Sequence, residues 1–354
     1  MTRPLLAAVG LLLVTQSYAW AQGAAPTQDI ARSPAPPLSP ALKKFEGSTA
    51  EFSTYIGSGS FYTSGYRNPY ASLALFARPS YSLGTRYKLA LRARLYAEDE
   101  LTSPDNPTGR RLYLYDPWIW LSADDLHTFE RSKLRISGLV RVVVPLSPES
   151  RYQHMIGAVG LGPSVSRKFE FGDVNDEKRK WTLKASYTFL FYKYLQTSDF
   201  RGTGPGDTTG CLAPPSAGAP GLSGGGPTAS AADRCGGPAN PNVSFGNALA
   251  LSLARGKLSG MVTLLVQNTF NHSFPDDMLT PTNGVSTGRR DISWGIIAAT
   301  YQLRPHFGVS AGISSYQPAL DSRYRYPRFP FFDLSGGASF NNYTQFLLSL
   351  EGSI

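Results

Sequence analysis

The sequence has no long hydrophobic run apart from a short one near its start, and this limits how the chain can cross a membrane. Residues 5–14 form an unbroken apolar stretch, whereas a transmembrane α-helix needs about 20 such residues. Every later segment is interrupted by charged or turn-forming residues. Any crossing of a bilayer must therefore be made by strands.

The short apolar run has the features of an export signal. Arg3 precedes it, and Ala19 and Ala21 stand at the small-residue positions that signal peptidase recognises. We therefore predict a signal peptide over residues 1–21 and a mature chain that begins at Gln22. No lipid anchor is expected at that new N-terminus, because no cysteine follows the cleavage site directly.

Cysteine is scarce, with only Cys211 and Cys235 present, both in a stretch dense in glycine, proline, serine and alanine. An exported chain passes through an oxidising compartment, where such a pair normally bonds. We predict a disulfide between them, with two free thiols as the alternative. The sequence also lacks spaced His or Cys metal ligands and a Gly-rich phosphate-binding turn before a helix, so no metal or cofactor is expected.

Charged residues are few, at 17% of the chain, while aromatic residues make up 12%. Both proportions suit a chain that faces lipid as well as water. The formal net charge is nevertheless +9. Because an exported protein meets little nucleic acid, we expect this charge to concern anionic lipid or small anionic solutes and no nucleic acid.

Two kinds of segment follow the signal. Residues 22–49 are rich in proline, alanine and serine and bury too little to fold alone, so they are predicted to be a periplasmic leader. From residue 50 onward, period-two segments of about ten residues alternate with turn residues, which is the pattern of a transmembrane β-barrel. Twelve such segments can be delimited: 50–62, 70–83, 87–98, 111–122, 133–146, 156–170, 181–195, 244–254, 258–270, 290–302, 307–316 and 342–354.

The polarity of the strand faces distinguishes a barrel from the alternative fold, a water-soluble β-sandwich. In 87–98 one face suits hydrocarbon and the other suits water, since Leu89, Leu91, Ala93, Leu95 and Ala97 alternate with Lys88, Ala90, Arg92, Arg94 and Tyr96. A sandwich needs polar outer faces. The outer face of 181–191 is instead Trp181, Leu183, Ala185, Tyr187, Phe189 and Phe191. Such a face is satisfied in lipid, which favours the barrel.

The connections fall into two classes that alternate. Those after strands two, eight and ten are tight, at residues 84–86, 255–257 and 304–306, while those after strands three, seven, nine and eleven are long. Outer-membrane barrels have short periplasmic turns and long extracellular loops. We therefore predict both mature termini in the periplasm and a long extracellular loop over 196–243.

On these features, residues 50–354 resemble the family of monomeric, porin-like bacterial outer-membrane β-barrels. The resemblance implies an all-β, up-and-down antiparallel barrel of about twelve strands in the cell outer membrane. It also implies contact with outer-membrane lipid and lipopolysaccharide, and insertion by the barrel-assembly machinery. The family typically ends in an aromatic residue, and this chain departs from that pattern by ending in Ile354.

The polar faces of the strands carry more cations than anions. Four arginines are predicted to form a basic belt at mid-depth in the lumen: Arg78, Arg92, Arg94 and Arg141. The other predicted lumen cations are Lys88, Lys133, Arg135, Lys168 and Lys184. The corresponding anions are Glu98, Glu170, Asp291 and Glu351. The later wall is predicted to be small and uncharged, with Ala248, Ala250, Ser252, Ser293, Gly295, Ala299, Gly308, Ser310, Gly312 and Ser314 facing inward.

A ring of fixed cations in a low-dielectric wall attracts anions and repels cations. The sequence therefore favours a channel for small anionic solutes. The alternative is a closed barrel in which arginines and lysines pair with carboxylates and fill the interior, as small barrels often are filled. Such a barrel would present its loops to a partner or stabilise the envelope.

Two smaller predictions concern individual segments. Asp116-Pro117 lies within strand 111–122, where proline cannot donate to the ladder, so a bulge or break is expected there. That leaves the inward face of this strand open, and Trp118 and Trp120 are interpreted as interfacial anchors.

The third hypothesis for the function is an enzyme. Of the four histidines, His127, His154, His272 and His306, only His272, with Ser273, Asp276 and Asp277 nearby, suggests a catalytic set. Adjacent residues on a strand point in opposite directions. A polar loop explains these residues better, so no catalytic residue is assigned.

The disulfide prediction is tested by alkylating the unreduced, denatured protein. The bond between Cys211 and Cys235 would close a loop of roughly 25 residues. By reducing the conformational entropy of the unfolded chain, it would stabilise the folded state by about 3 kcal/mol. We expect no thiol to be modified before reduction and two to be modified after it. Two modified cysteines without reduction would contradict the bond.

Overall fold

A computed structural model describes residues 43–62, 69–84, 86–102, 111–173, 176, 179–199, 240–272, 289–318 and 344–354. Within these ranges the chain forms one short α-helix, α1 (Pro148–Tyr152), two 3-10 helices (Ser58–Phe61 and Arg86–Lys88) and fifteen β segments. The segments are β1 (Thr49–Gly57), β2 (Ala71–Arg78), β3 (Ser80–Gly84), β4 (Leu89–Thr102), β5 (Arg111–Leu114), β6 (Trp118–Thr128), β7 (Leu134–Val143), β8 (Met155–Leu161), β9 (Ser164–Phe171), β10 (Trp181–Gln196), β11 (Pro241–Arg255), β12 (Leu258–Asn271), β13 (Arg289–Arg304), β14 (Phe307–Pro318) and β15 (Thr344–Ser353).

The segments make twelve wall strands, because three strands are each interrupted once. The segments β2 and β3 continue each other along β4, as do β5 and β6, and β8 and β9 continue each other along β10. A proline stands at each interruption, namely Pro79, Pro117 and Pro163. Each of these prolines lacks an N–H, but its carbonyl accepts a bond from a neighbouring chain segment, from Ala93, Val144 and Phe189 respectively.

The wall closes on itself. Neighbouring strands pair antiparallel all the way round, and β1 pairs with β15 from Thr49–Ser353 to Gly57–Gln345. The predicted closed, twelve-stranded antiparallel barrel is therefore confirmed, and the two-sheet sandwich is excluded. Among the described residues, no helix is long and apolar enough to cross a membrane.

The outside of the wall is apolar. Large hydrophobic side chains on the outward parity stay exposed on strand after strand: Leu75, Leu91, Leu95, Ile119, Leu121, Val140, Val142, Leu249, Leu251, Val266, Ile297, Leu348 and Leu350. A soluble protein does not display so continuous an apolar surface. This band faces lipid, and it is the reason the alternation of the sequence is so regular.

The two rims of the barrel differ. One rim, the short-turn end, carries the connections at 129–133, 172–180, 256–257 and 305–306, together with the start of β1 and the end of β15. Gly256 there takes φ +53°, a left-handed conformation that suits a two-residue hairpin. The opposite rim, the long-connection end, carries the longer connections after β1, β7, β10, β12 and β14.

Two side chains fasten the long-connection end. Asp116, at the break between β5 and β6, accepts bonds from the backbone N–H groups of Leu146 (2.7 Å) and Ser147 (2.6 Å). The fully buried Asn240 donates from Nδ2 to the carbonyl oxygens of Gln153 and Ser198, at 2.8 Å each. The connection between β7 and β8 is thereby held against the wall and against the ends of β10 and β11. The strand break expected at Asp116-Pro117 is present.

One face of the later wall was assigned wrongly from the sequence. Ser293, Gly295, Ala299 and Asp291 were expected to face the lumen, but pairing of β13 with β12 and β14 turns the other set inward: Ile292, Trp294, Ile296, Ala298 and Thr300. Both faces of β13 are apolar or small, so alternation alone cannot orient it. The remaining inward residues of this wall, on β11 and β14, have the parity that was expected.

Several predictions lie outside the described residues. They are the signal peptide, the leader up to residue 42, Cys211 and Cys235, and most of the 196–243 loop. The strands flanking that loop extend slightly into its predicted bounds, since β10 ends at Gln196 and β11 begins at Pro241.

The difference between the two rims predicts topology in the cell. We expect an epitope inserted near Gly224 to bind antibody on intact cells, and one inserted at Gly256 to bind only after the outer membrane is opened. Labelling of both insertions on intact cells, or of neither, would contradict this orientation.

Candidate functional site

The lumen has a packed half, which we call the dry half, and an open half, which we call the wet half. Towards the long-connection end, buried aromatic and aliphatic side chains form one cluster to which all twelve wall strands contribute, among them Tyr55, Phe76, Tyr96, Trp118, Val143, Ala158, Leu190, Ala248, Leu265, Trp294, Tyr316 and Leu347. This packing fills much of that half of the lumen. Towards the short-turn end the lumen stays open and polar.

Arg94 lies within the dry half. Its side chain projects inward from β4 and is only 3% exposed. The guanidinium carbon lies 4.8 Å from the ring centroid of Trp118, 5.2 Å from that of Tyr96 and 5.3 Å from that of Phe76. Ring faces attract a cation by roughly 2 kcal/mol when both are desolvated, which offsets part of the cost of burying the charge.

Arg141 projects inward from β7, where it is the cross-strand partner of Trp120, and is 1% exposed. Its guanidinium carbon lies 4.4 Å from the Trp118 centroid, and an N–H donates to the Tyr192 hydroxyl at 2.5 Å. Gly160 makes room for Tyr192, because a Cβ at this glycine would collide with the tyrosine ring. The two arginines thus share one indole ring, and we call Arg94, Trp118 and Arg141 the arginine–tryptophan constriction.

The position of the two tryptophans of β6 differs from the one predicted from the sequence. Trp118 and Trp120 were interpreted as interfacial anchors, but both point into the lumen and are buried. The break at Asp116-Pro117 obscured the parity of this strand. The direct pairing of Trp118 with Arg94, and of Trp120 with Arg92 and Arg141, resolves it.

The other two arginines of the predicted belt lie beside carboxylates. Arg78 pairs with Glu51 at 3.1 Å, and Arg92 pairs with Asp124 at 2.5 Å. The sequence reading did not place these carboxylates in the lumen, because β1 is weakly patterned and Asp124 follows an irregularity in β6. The structure therefore brings Arg94 and Arg141 together at the Trp118 ring, while Arg78, which shares the Phe76 ring with Arg94, and Arg92 each pair with a carboxylate.

Tyrosines hold Glu98 on the long-connection side of the arginine–tryptophan constriction. Its carboxylate accepts hydroxyl bonds from Tyr70 (2.5 Å), Tyr96 (2.6 Å) and Tyr115 (2.8 Å), and its side chain is buried. Burial raises the pKa of the Tyr70 phenol well above its usual value, and the nearby Glu98 charge raises it further. The phenol therefore stays a donor. Rings of this group also stack, with Phe76 and Tyr96 at 4.3 Å between centroids.

The wet half contains a cavity of about 590 Å³ at the short-turn end. Four of the predicted lumen cations line it: Lys133, Arg135, Lys168 and Lys184. Glu170 also lines it, along with the hydroxyl residues Thr128, Ser166, Thr182, Ser252, Ser259 and Thr300. We call this cavity the vestibule. Lys88, the fifth predicted cation, lies at the rim and faces Asp125 at 3.9 Å.

In the part of the chain that the structure describes, the histidines show no arrangement typical of catalysis. His272 Nδ1 lies 3.0 Å from Asp199, and His127 packs edge-on against Phe129. Ser273, Asp276 and Asp277 lie outside the residues that the structure describes. In the described ranges, no three His, Cys, Asp or Glu side chains group to hold a metal ion.

Comparison with known proteins gives structural similarity without sequence similarity. No protein-family profile matches the chain. No curated protein matches it. Among solved structures, an outer membrane channel from Pseudomonas putida F1 shares 10% identity and a TM-score of 0.46, covering 91% of this chain and 100% of that one. The TodX monoaromatic hydrocarbon channel shares 12% identity and a TM-score of 0.31, covering 87% and 89%. Omp33 of Acinetobacter baumannii shares 6% identity and a TM-score of 0.25, and the match covers 88% of this chain and 98% of that one.

The closed wall, the lipid-facing band and the polar lumen together define the class. The chain is a closed β-barrel of twelve antiparallel strands, with the apolar outer band that is typical of a transmembrane barrel.

The Glu98 cluster predicts a large effect of one conservative substitution. Glu98→Gln keeps the shape of the side chain but presents an amide donor to buried hydroxyls, so we expect about 2–3 kcal/mol less stability. Urea unfolding of the refolded barrel in lipid vesicles measures it. Glu170→Gln is the control, since its ion pairs are half exposed, and it should cost clearly less. Equal losses in both variants would contradict a structural role for Glu98.

Proposed function

We propose that the chain is an outer-membrane channel for small anionic solutes, with the vestibule open to the periplasm and the arginine–tryptophan constriction setting ion preference. The observation that carries this proposal is the burial of two guanidinium groups, Arg94 and Arg141, against one indole ring inside the lumen. Buried charge is costly, and a wall made only to be filled is better packed with apolar side chains.

The way these cations are held supports an electrostatic role. Carboxylates beside Arg78 and Arg92 offset the charge of those side chains. Aromatic faces hold Arg94, and aromatic faces together with the Tyr192 hydroxyl hold Arg141. The surrounding aromatic cluster is poorly screened by water, so each charge acts strongly on a passing ion. The constriction therefore favours anions.

The vestibule adds to this preference for anions. Four cations and one carboxylate line it, so an anion arriving from the short-turn end meets a positive field before the constriction. The proposed setting is the cell outer membrane, reached by export with a cleaved signal. There the barrel would contact lipid and lipopolysaccharide and be inserted by the barrel-assembly machinery.

A second candidate function rests on a different observation. The aromatic cluster contacts all twelve strands in the half towards the long connections, which suits a closed barrel that presents its loops to a partner. Single-channel recording separates the two, because a closed barrel conducts no current. Failure to conduct, even after deletion of residues 200–239 or of the leader, would favour the closed barrel.

The channel proposal predicts the effect of removing the constriction charges. Each charge at about 8 Å in an effective dielectric constant of about 40 is worth roughly 1 kcal/mol to a passing anion. We therefore expect Arg94→Gln with Arg141→Gln to lower the anion-to-cation permeability ratio at least about fivefold. The measurement is the reversal potential of the refolded barrel in a salt gradient.

Two controls accompany it. Arg167→Gln removes a cation from the outward face of β9, where the guanidinium lies over Phe169, and should leave the ratio unchanged. Arg94→Lys with Arg141→Lys keeps both charges and should retain most of the anion preference. An unchanged ratio in the folded Gln pair would contradict the assignment of selectivity to the constriction.

A further inference from the structure

We propose that the vestibule is a second, separate binding site, which takes the dianionic phosphate group of a small hydroxylated solute. The inference rests on the proposed function in one respect, that the vestibule belongs to the lumen of a channel. It goes beyond that function by naming the solute chemistry and by placing it in the wet half, away from the arginine–tryptophan constriction.

Like charges face each other in the vestibule. Lys168 on β9 and Lys184 on β10 are direct cross-strand partners on the inward face, and Arg135 pairs with Ser166 one step further along β9. Directly opposed like charges destabilise a sheet. A departure of this kind from favourable pairing is expected at a functional position, where an anionic ligand removes the repulsion.

The carboxylates of this region compensate only part of the charge. Glu170 accepts an ion pair from Lys168 at 2.7 Å through one oxygen and from Lys180 at 2.8 Å through the other. Asp125 faces Arg135 at 3.9 Å. One carboxylate, Glu170, is thus shared between two lysines, and it lines the vestibule together with four cations. A dianion matches two opposed ammonium groups better than a monoanion does.

Hydroxyl groups complete the site. Serine and threonine side chains from β9 to β13 line the cavity, and each can donate to a phosphate oxygen or accept from a solute hydroxyl. The cavity volume of about 590 Å³ suits a small organic solute. Lys168 keeps 58% of its side chain exposed, so its attraction is screened. Weak binding of this kind lets a solute enter and also leave, as transport requires.

Binding is tested on the refolded barrel in phosphate-free detergent, by titration followed with ³¹P NMR for phosphorylated probes and by competition for the others. The probes are glycerol 3-phosphate, inorganic phosphate, glycerate and glycerol. We expect glycerol 3-phosphate to bind several-fold more tightly than inorganic phosphate, and at least tenfold more tightly than glycerate or glycerol. Equal affinity for phosphate and glycerol 3-phosphate would overturn the role of the hydroxyl groups, and equal affinity for glycerate would overturn the preference for a dianion.

Matched double variants locate the site. Lys168→Gln with Lys184→Gln removes two inward cations from β9 and β10 and should weaken glycerol 3-phosphate binding at least tenfold. Arg167→Gln with Lys193→Gln removes two outward cations from the same two strands and should leave binding unchanged. Equal weakening in both pairs would show that the phosphate responds only to overall charge and would overturn the site.

The outcome is separable from that of the channel proposal. Binding needs no conduction, so a barrel that binds glycerol 3-phosphate but passes no current would retain the vestibule site and reject the channel. A conducting, anion-selective barrel that binds none of the probes would reject the vestibule site alone. Arg94→Gln with Arg141→Gln should leave vestibule binding intact.

Discussion

The structure depends on the need to pair every backbone N–H and C=O group inside hydrocarbon, where no water can replace a missing bond. A sheet meets that need only by closing, and here β1 and β15 complete the ring along the full length of β1. The three prolines in the wall show how strict the condition is. Each stands at an interruption, and each carbonyl still accepts a bond from a neighbouring segment.

Closure also decides what the interior must hold. A twelve-stranded ring encloses more space than small side chains can fill, so one half is filled by rings and the other is left to water. Buried cations are then possible within the dry half, because aromatic faces can hold them where water cannot. The constriction and the vestibule follow from this division of the lumen into a dry half and a wet half.

Strand order and number were predictable because the lipid-facing band forces a strict alternation, as β4 illustrates. The alternation failed where its physical basis failed. Both faces of β13 are apolar, so its orientation needed the pairing of Leu265 with Trp294. A break at Asp116-Pro117 hid the inward parity of Trp118. Ion pairs such as Arg92 with Asp124 depend on register between strands, which the sequence of either strand alone does not contain.

The single amide of Asn240 links parts of the chain that are far apart in sequence. Its side chain holds the carbonyls of Gln153 and Ser198, while its own backbone carbonyl accepts from His272. Three connections on one rim therefore bond to the same residue, Asn240, so a displacement of one connection affects the other two. Loss of the Asn240 side-chain amide would therefore release two connections at once, those that contain Gln153 and Ser198.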